Sequence, residues 1–197
     1  MSDQFPTYRA QMEYVCLGCG ARHLIDELLY TCPSCGGVFL LEDTTFDKLK
    51  EHGGAYWRNL FDSRAATRNT ALRGVFRFYE LMAPVLEQED ILYLGEGNTP
   101  VVDGAPELQK KLNASFAFKN DGQNPSASFK DRGMACAFSY LKWLCRRHQW
   151  DEVLTVCAST GDTSAAAALY ASYVGAPLKS VVLLPHGKVP PQQLSQP

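Results

Sequence analysis

The sequence lacks any long apolar run. No stretch of its 197 residues reaches the roughly 20 consecutive apolar residues that a membrane-spanning helix needs. The opening residues, MSDQFPTYRA, also lack the basic segment and apolar core of a secretory signal. From these absences we expect no membrane partner and a cytoplasmic location.

An excess of charge of either sign is also lacking. Lysine and arginine total 19 against 21 aspartates and glutamates, which gives a net charge of -2 and a pI near 6.1. A nucleic-acid-binding surface would require a basic patch, and only short clusters of like charge occur. We therefore expect no nucleic-acid partner. With 46% apolar residues the chain can bury a sizeable core, as a soluble globular protein does.

Cysteine, by contrast, is well represented, with seven residues. Four of them form two Cys-x-x-Cys pairs, each followed by glycine and separated by twelve residues: Cys16, Cys19, Cys32 and Cys35. This spacing predicts a zinc ribbon over residues 12–42, in which four thiolates close a tetrahedral structural site. Two disulfides are disfavoured by a reducing compartment. A thioredoxin-like redox site is disfavoured because it needs one pair at a helix start.

Residues 43–95 carry helical patterns but no catalytic motif, and we interpret them as a linker and helical segment. TTFDKLKEHGG, residues 44–54, predicts a short helix with a threonine cap and a Gly-Gly stop.

The remaining residues, 96–197, predict an α/β domain. ASFAFKN, EVLTVC and LKSVVLLP have the pattern of strands, and two helical segments lie between them. Strand and helix alternating with short connections imply a parallel sheet of about three strands. A ligand site is then expected at the carboxyl ends of the strands, where the loops 120–128 and 158–163 would meet.

Lys130 stands where the first of these loops becomes a helix. If Ser126 or Ser128 caps the helix, the lysine lies in its first turn, where the helix dipole disfavours a cation. Two interpretations remain open: a surface lysine with its ammonium in water, or an amine whose neutral fraction is raised for Schiff-base chemistry. Ser128 and Asp131 also match a capping box, which would make Asp131 structural.

The second loop, ASTGDTS, offers hydroxyls and backbone N–H groups before an alanine-rich helix. Such an arrangement can hold a small anion, for example a carboxylate. The alternative is an ordinary helix cap formed by Asp162 or Thr163.

Three segments together resemble threonine synthases, which are pyridoxal-phosphate enzymes of the tryptophan-synthase-β superfamily. They are LGEGNTP (94–100), KNDGQNPSASFKDRGMA (119–135) and CASTGDTSAAAALYA (157–171). The resemblance implies that Lys130 forms the internal aldimine with pyridoxal 5'-phosphate and that Phe129 packs near the cofactor ring. It also implies that a substrate carboxylate binds to the STGDT loop, at Ser159, Thr160, Gly161 and Thr163.

Two positions depart from the commoner family pattern. Asp162 stands where many relatives have an asparagine that faces the phenolic oxygen of the cofactor, and an aspartate there must share a proton with that oxygen. NPSASFKD replaces the commoner NPTGSFKD, which affects the geometry of the loop.

The implied reaction converts O-phosphohomoserine and water to L-threonine and phosphate. Alternatives are another lyase of the same superfamily, such as a serine/threonine dehydratase or a cysteine or cysteate synthase, and a non-catalytic ribbon-bearing binding module. The resemblance leaves a homodimer of the full-length protein open.

No glycine-rich phosphate loop follows Gly161. We therefore expect the 197 residues to be an N-terminal part of the enzyme, with the fold of the catalytic domain incomplete.

Overall fold

The computed structural model describes residues 3–187, 189–191 and 195. The chain divides into two compact units. The first comprises Met1–Leu72 and Phe76–Glu87, and the second comprises Arg73–Val75 and Gln88–Pro197. Most of the polar tail 190–197, and Lys188, lie outside the described residues.

A three-stranded antiparallel sheet opens the first unit. Its strands are β1 (Met12–Cys16), β2 (Arg22–Leu24) and β3 (Phe39–Asp43), in the order β2-β1-β3. Cys16, the last residue of β1, lies opposite Phe39, the first residue of β3. The turn after β1 and the turn before β3 therefore lie at the same end of the sheet, which brings the two cysteine pairs together.

Three α-helices and several short 3-10 helices complete this unit: α1 (Asp47–Lys50), α2 (Gly54–Ser63) and α3 (Tyr79–Met82). They enclose an apolar core formed by Leu49, Phe61, Leu72, Phe76, Tyr79 and Leu86. Arg64 and Glu80 are buried in it as a bidentate ion pair with N–O distances of 2.7 and 2.6 Å. Two parallel hydrogen bonds satisfy both charges where water does not reach them.

The second unit begins with a small antiparallel sheet. β4 (Val101–Asp103) pairs with β5 (Ala117–Lys119), and α4 (Pro106–Leu112) connects them. Proline occupies the first position of α4, where its missing N–H costs nothing.

Helix and strand then alternate through α5 (Lys130–His148), β6 (Val153–Ala158), α6 (Asp162–Val174) and β7 (Leu178–Leu183). β6 and β7 are parallel, and α6 connects them. α6 packs against both β7 and α5. Four alanines of α6 are buried, Ala165, Ala166, Ala167 and Ala171, so its backbone can approach its neighbours closely.

The expected α/β class is observed, but the predicted three-stranded parallel sheet is not. Among the described residues, β6 and β7 form a two-stranded parallel sheet, whereas β5 pairs in the antiparallel sense with β4. Alternation of apolar and polar residues shows that a segment is extended, but it does not identify the partner strand. Here the short strand after LGEGNTP supplies that partner.

Across the described residues, every helix is too short or too polar to cross a membrane.

Candidate cofactor site and metal centre

Two matching turns hold the four cysteines of the first unit. Gly20 N donates to Cys16 O at 2.9 Å, and Gly36 N donates to Cys32 O at 2.7 Å. Both glycines have positive φ, 74° and 72°, a conformation that glycine adopts without steric cost. The glycine that follows each Cys-x-x-Cys pair is therefore a requirement of the turn.

The four sulfur atoms converge. Cys16 Sγ lies 3.4 Å from Cys35 Sγ, Cys19 Sγ lies 3.7 Å from Cys32 Sγ, and all four lie within 4.8 Å of one another. Tetrahedral zinc with bonds of about 2.3 Å would hold its sulfurs about 3.8 Å apart. The donor set thus fits a closed zinc centre in which protein ligands fill every position.

The surroundings of Cys32 favour the thiolate that a metal binds. Burial raises the pKa of Cys32, but hydrogen bonds from His23 and from the backbone N–H groups of Ser34 and Cys35 outweigh it and lower the pKa to about 6. His23 Nε2 lies 4.0 Å from Cys32 Sγ. Because the thiolate is the metal-binding form of cysteine, these groups favour metal binding by Cys32. The hydrogen bond from Gly37 N lowers the pKa of Cys35, but contacts with the other cysteines outweigh it and raise that pKa to about 12.

Lys130, in the second unit, is the first residue of α5. Phe129 precedes it in a helical conformation, and Ser128 Oγ accepts a hydrogen bond from Lys130 N at 3.3 Å. The lysine side chain is half-buried, and its Nζ lies 4.2 Å from the centroid of the Phe129 ring, which is itself 55% exposed. The ring face attracts an ammonium group, which offsets the unfavourable potential at the helix start.

The loop before Lys130 is fixed by Asp131, although not through the predicted capping box. Asp131 Oδ2 accepts a hydrogen bond from Ser126 N at 2.7 Å, two residues before the predicted partner Ser128. Between these serines, Ala127 has a left-handed backbone with φ of 59°, and its N–H donates to Asn124 O at 2.8 Å. Because of this turn, the Asp131 carboxylate accepts from the backbone N–H of Ser126, whereas a capping box would have it accept from the N–H of Ser128.

Further polar contacts join this loop to residues 94–100. The buried Asn124 accepts from Gly97 N at 2.9 Å and donates to Asp121 O at 2.8 Å. Arg132 and Thr99 both contact the Asp121 carboxylate at 2.8 Å, and these hydrogen bonds, with Arg132 the larger cause, lower the pKa of Asp121. Two of the three segments that carry the family resemblance therefore form one hydrogen-bonded unit.

The other candidate loop lies between β6 and α6. α6 begins at Asp162, and Gly161 occupies the N-cap position without a side-chain cap, so neither Asp162 nor Thr163 caps the helix. Ser159 Oγ accepts from Gly161 N at 3.3 Å, while Thr160 is exposed. The first N–H groups of a helix lack intrahelical acceptors, and such groups bind anions.

Sequence reasoning missed the buried polar groups behind these loops. Glu96 is fully buried, and its Oε2 accepts from Tyr170 OH at 2.9 Å and from Leu94 N at 3.0 Å. Burial is the main cause that raises the pKa of Glu96. The available signal was a carboxylate between two glycines in LGEGN, a pattern that an exposed turn also shows.

Comparison with known proteins identifies relatives that match 63–92% of this chain. A threonine synthase of Methanocaldococcus jannaschii is 34% identical over 183 residues, which are 92% of this chain and 40% of that protein. Threonine synthase 2, chloroplastic, of Arabidopsis thaliana is 35% identical over 88% of this chain and 33% of its own length. A threonine synthase of Halalkalibacterium halodurans is 40% identical over 63% of this chain and 32% of its own length. The chain thus spans 32–40% of the length of these relatives.

A family model, described as pyridoxal-phosphate dependent enzyme, matches residues 92–196. The match begins just before the LGEGNTP segment and includes Lys130, the loop 159–163 and the β6-α6-β7 unit. It covers more than half of the chain, and the chain therefore belongs to the pyridoxal-phosphate dependent enzyme family.

Proposed function

We propose that this protein is a threonine synthase, which converts O-phosphohomoserine and water to L-threonine and phosphate, with pyridoxal phosphate bound to Lys130. The observation that carries the proposal is the place of Lys130, at the start of α5 within the family match. The three relatives described above bear the name threonine synthase, which favours this chemistry over that of a sister lyase.

The residues around Lys130 fit the cofactor. Its amine is half-buried beside an aromatic ring, and the loop that carries it is fixed by Asp131 and Asn124. Phe129 would pack near the cofactor ring. Asp162, exposed at the start of α6, would face the phenolic oxygen and share its proton.

A substrate carboxylate would bind at the start of α6. Ser159 and Thr160 offer hydroxyls, and Gly161 and Thr163 complete the loop. The start of this helix carries no side-chain cap, which supports anion binding by its N–H groups.

The reaction removes phosphate from Cγ of the substrate and adds water at Cβ. Protons must therefore leave Cα and Cβ, one proton must be added at Cγ, which becomes the methyl group of threonine, and one must return to Cα. We assign these transfers to the Lys130 amine. Pyridoxal phosphate, when bound, supplies an electron sink for the charge that develops at Cα. The Ser159–Thr163 loop would hold the substrate so that Cα and Cβ face the amine.

The four cysteines Cys16, Cys19, Cys32 and Cys35 would bind structural zinc. With four protein ligands the ion has no position for substrate, so its effect is on the stability of the ribbon. We propose a ribbon over residues 12–42, a linker and helical segment over 43–95, and over 96–197 the first part of a catalytic domain with a parallel sheet. Such an enzyme of amino-acid biosynthesis would act in the cytoplasm.

Peptide mapping tests the cofactor residue. The longest chain that the gene encodes is incubated with pyridoxal phosphate, reduced with borohydride and digested. We expect the pyridoxyl group on the peptide that contains Lys130. A label on Lys119 with Lys130 unmodified would contradict the assignment.

Turnover tests the reaction. Threonine and phosphate are quantified with O-phosphohomoserine as substrate, and serine and threonine are tested for deamination. Lys130→Ala should abolish product formation, whereas Lys111→Ala, at an exposed position of α4, should retain it. Deamination without threonine formation would indicate a dehydratase, and the absence of both cofactor binding and turnover would favour a binding module.

A further inference from the structure

Two carboxyl groups are buried next to the loop that carries Lys130. Glu96 and Asp131 are both 0% exposed. Asp131 directly follows Lys130, and Glu96 belongs to the segment whose Gly97 N–H donates to Asn124 of the loop. Burial and, to a smaller extent, the charge of Asp131 raise the pKa of Glu96, so the two groups influence each other.

In each carboxyl group, one oxygen accepts hydrogen bonds and the other does not. Glu96 Oε1 and Asp131 Oδ1 are buried and have no hydrogen-bond partner among the described residues. Gly74 packs so closely on Glu96 Oε1 that a Cβ added there would lie 2.5 Å away. The chain at Gly74 therefore lies close to this oxygen, and an ionised carboxylate that is buried without a hydrogen-bond partner on one oxygen carries a large desolvation cost.

The charged and titratable groups around the pair do not offset two negative charges. On α5, Arg132 lies near both carboxyls, but it forms an ion pair with Asp121 at 2.8 Å. Cys136 is neutral, because burial is the main cause that raises its pKa. On α6, Tyr170 donates to Glu96 Oε2 at 2.9 Å, and burial is the main cause that raises the pKa of Tyr170. Because Arg132 is already paired with Asp121, ionising both Glu96 and Asp131 would cost much free energy.

We propose that Glu96 is an uncharged positioning residue for Lys130: its protonated carboxyl joins α6 to the loop that carries the lysine. On one side, Tyr170 bonds Glu96 and stacks on Phe138 of α5, with ring centroids 6.4 Å apart. On the other, the Glu96–Gly97 segment bonds Asn124. The link to Lys130 rests on the function proposed above, whereas the charge state of Glu96 does not.

The charge state is tested with Glu96→Gln, which replaces the carboxyl by a neutral group of the same shape. A raised pKa means that the folded wild type binds more protons than the unfolded chain, so its stability should fall as pH rises above the ordinary value of 4.5. Glu96→Gln has no titrating carboxyl at this position, so its stability does not fall with pH for this reason. We therefore expect the thermal midpoint of Glu96→Gln to rise, relative to that of the wild type, by several degrees from pH 5 to pH 8.

Glu107→Gln, at an exposed position of α4, is the matched control and should show a difference that does not vary with pH. If Glu96→Gln instead loses stability relative to the wild type as pH rises, Glu96 is ionised and the proposal is wrong; a constant difference would also overturn it. Infrared spectra give a second measurement at pH 7. A protonated-carboxyl band should be present in the wild type and absent in Glu96→Gln, and a spectrum without that band in the wild type would overturn the proposal.

The positioning role is tested through the rate at which pyridoxal phosphate attaches to Lys130, trapped by borohydride. Glu96→Gln should keep the wild-type rate, because the amide still accepts from Tyr170, while Tyr170→Phe should slow it several-fold. Tyr173→Phe, 62% exposed on the same helix, should leave it unchanged. An unchanged rate in Tyr170→Phe would overturn the positioning role. If the wild type itself does not label Lys130, the proposed function fails, while the charge measurement still decides the state of Glu96.

Discussion

Ala127 is a position at which this sequence departs from the commoner family pattern. The resemblance places glycine at this position in the commoner NPTGSFKD motif, and the structure gives the alanine a left-handed backbone with φ of 59°. For an L-residue with a Cβ, the left-handed conformation costs about 1–2 kcal/mol of free energy. The loop before Lys130 therefore keeps the backbone that suits glycine, with hydrogen bonds from Ala127 N to Asn124 and from Ser126 N to Asp131 holding it.

Ala127→Gly should raise the free energy of unfolding by about 1 kcal/mol, since the relief of strain exceeds the extra entropy of an unfolded glycine. Urea unfolding measures the change. Ala137→Gly, at an exposed position within α5, is the control and should lower stability by about 1 kcal/mol. A loss of stability in Ala127→Gly would show that the methyl group makes contacts worth more than the strain.

Individual roles in the cofactor site were predictable only in part. The position of Lys130 at a helix start followed from the change of pattern at Ser128, because cap residues and apolar spacing are local signals. The partner of Asp131 did not follow, since the left-handed turn at Ala127 shifts the accepted N–H from Ser128 to Ser126. The burial of Glu96 could not be predicted from its neighbours in the sequence, because it depends on Tyr170 and Gly74, which are distant in sequence.

At the scale of elements, the module that carries the four clustered cysteines was the most predictable part of the molecule. Each turn is specified by neighbours within five residues, and the antiparallel pairing of β1 with β3 brings the two turns together. α1 was less predictable. Phe46 occupies its N-cap without a side-chain cap, because the hydroxyl of Thr45 donates to Asp43 instead. Gly53 and Gly54 start α2, so the expected Gly-Gly stop is also the start of the next helix.

The ribbon should contain one zinc ion per chain, and Cys35→Ser should lose it. In small metal modules ligand binding and folding are one process, so the thermal stability of the ribbon should fall with the metal content. Metal analysis and thermal unfolding in the presence of a chelator measure both. Cys157→Ser, in β6 of the other unit, should keep the zinc. A metal-free protein with an equally stable ribbon would contradict the zinc site.

At the scale of the whole molecule, the parallel sheet has one covered face and one open face. Leu178, Ser180 and Val182 of β7 face Ala168 and Ala171 of α6. The opposite face carries apolar side chains that are 41–58% exposed, namely Leu154, Val156, Val181 and Leu183. Parallel sheets are normally covered on both faces. The chain also spans only 32–40% of the length of the relatives described above, so we propose that further chain covers this face and completes the cofactor site.

If that proposal holds, residues 1–197 expressed alone should bind pyridoxal phosphate weakly and form no threonine from O-phosphohomoserine. The open sheet face should also make this chain prone to aggregate, because an uncovered apolar strand pair offers both surface and edges for association. Val156→Lys, which places a charge on the open face, should raise the soluble yield without creating activity, whereas Val182→Lys, on the face covered by α6, should lower it. Soluble yield, light scattering and threonine production measure these outcomes. Sustained turnover by the 197 residues would show that the site is complete within them and that the open face is a surface of the working enzyme.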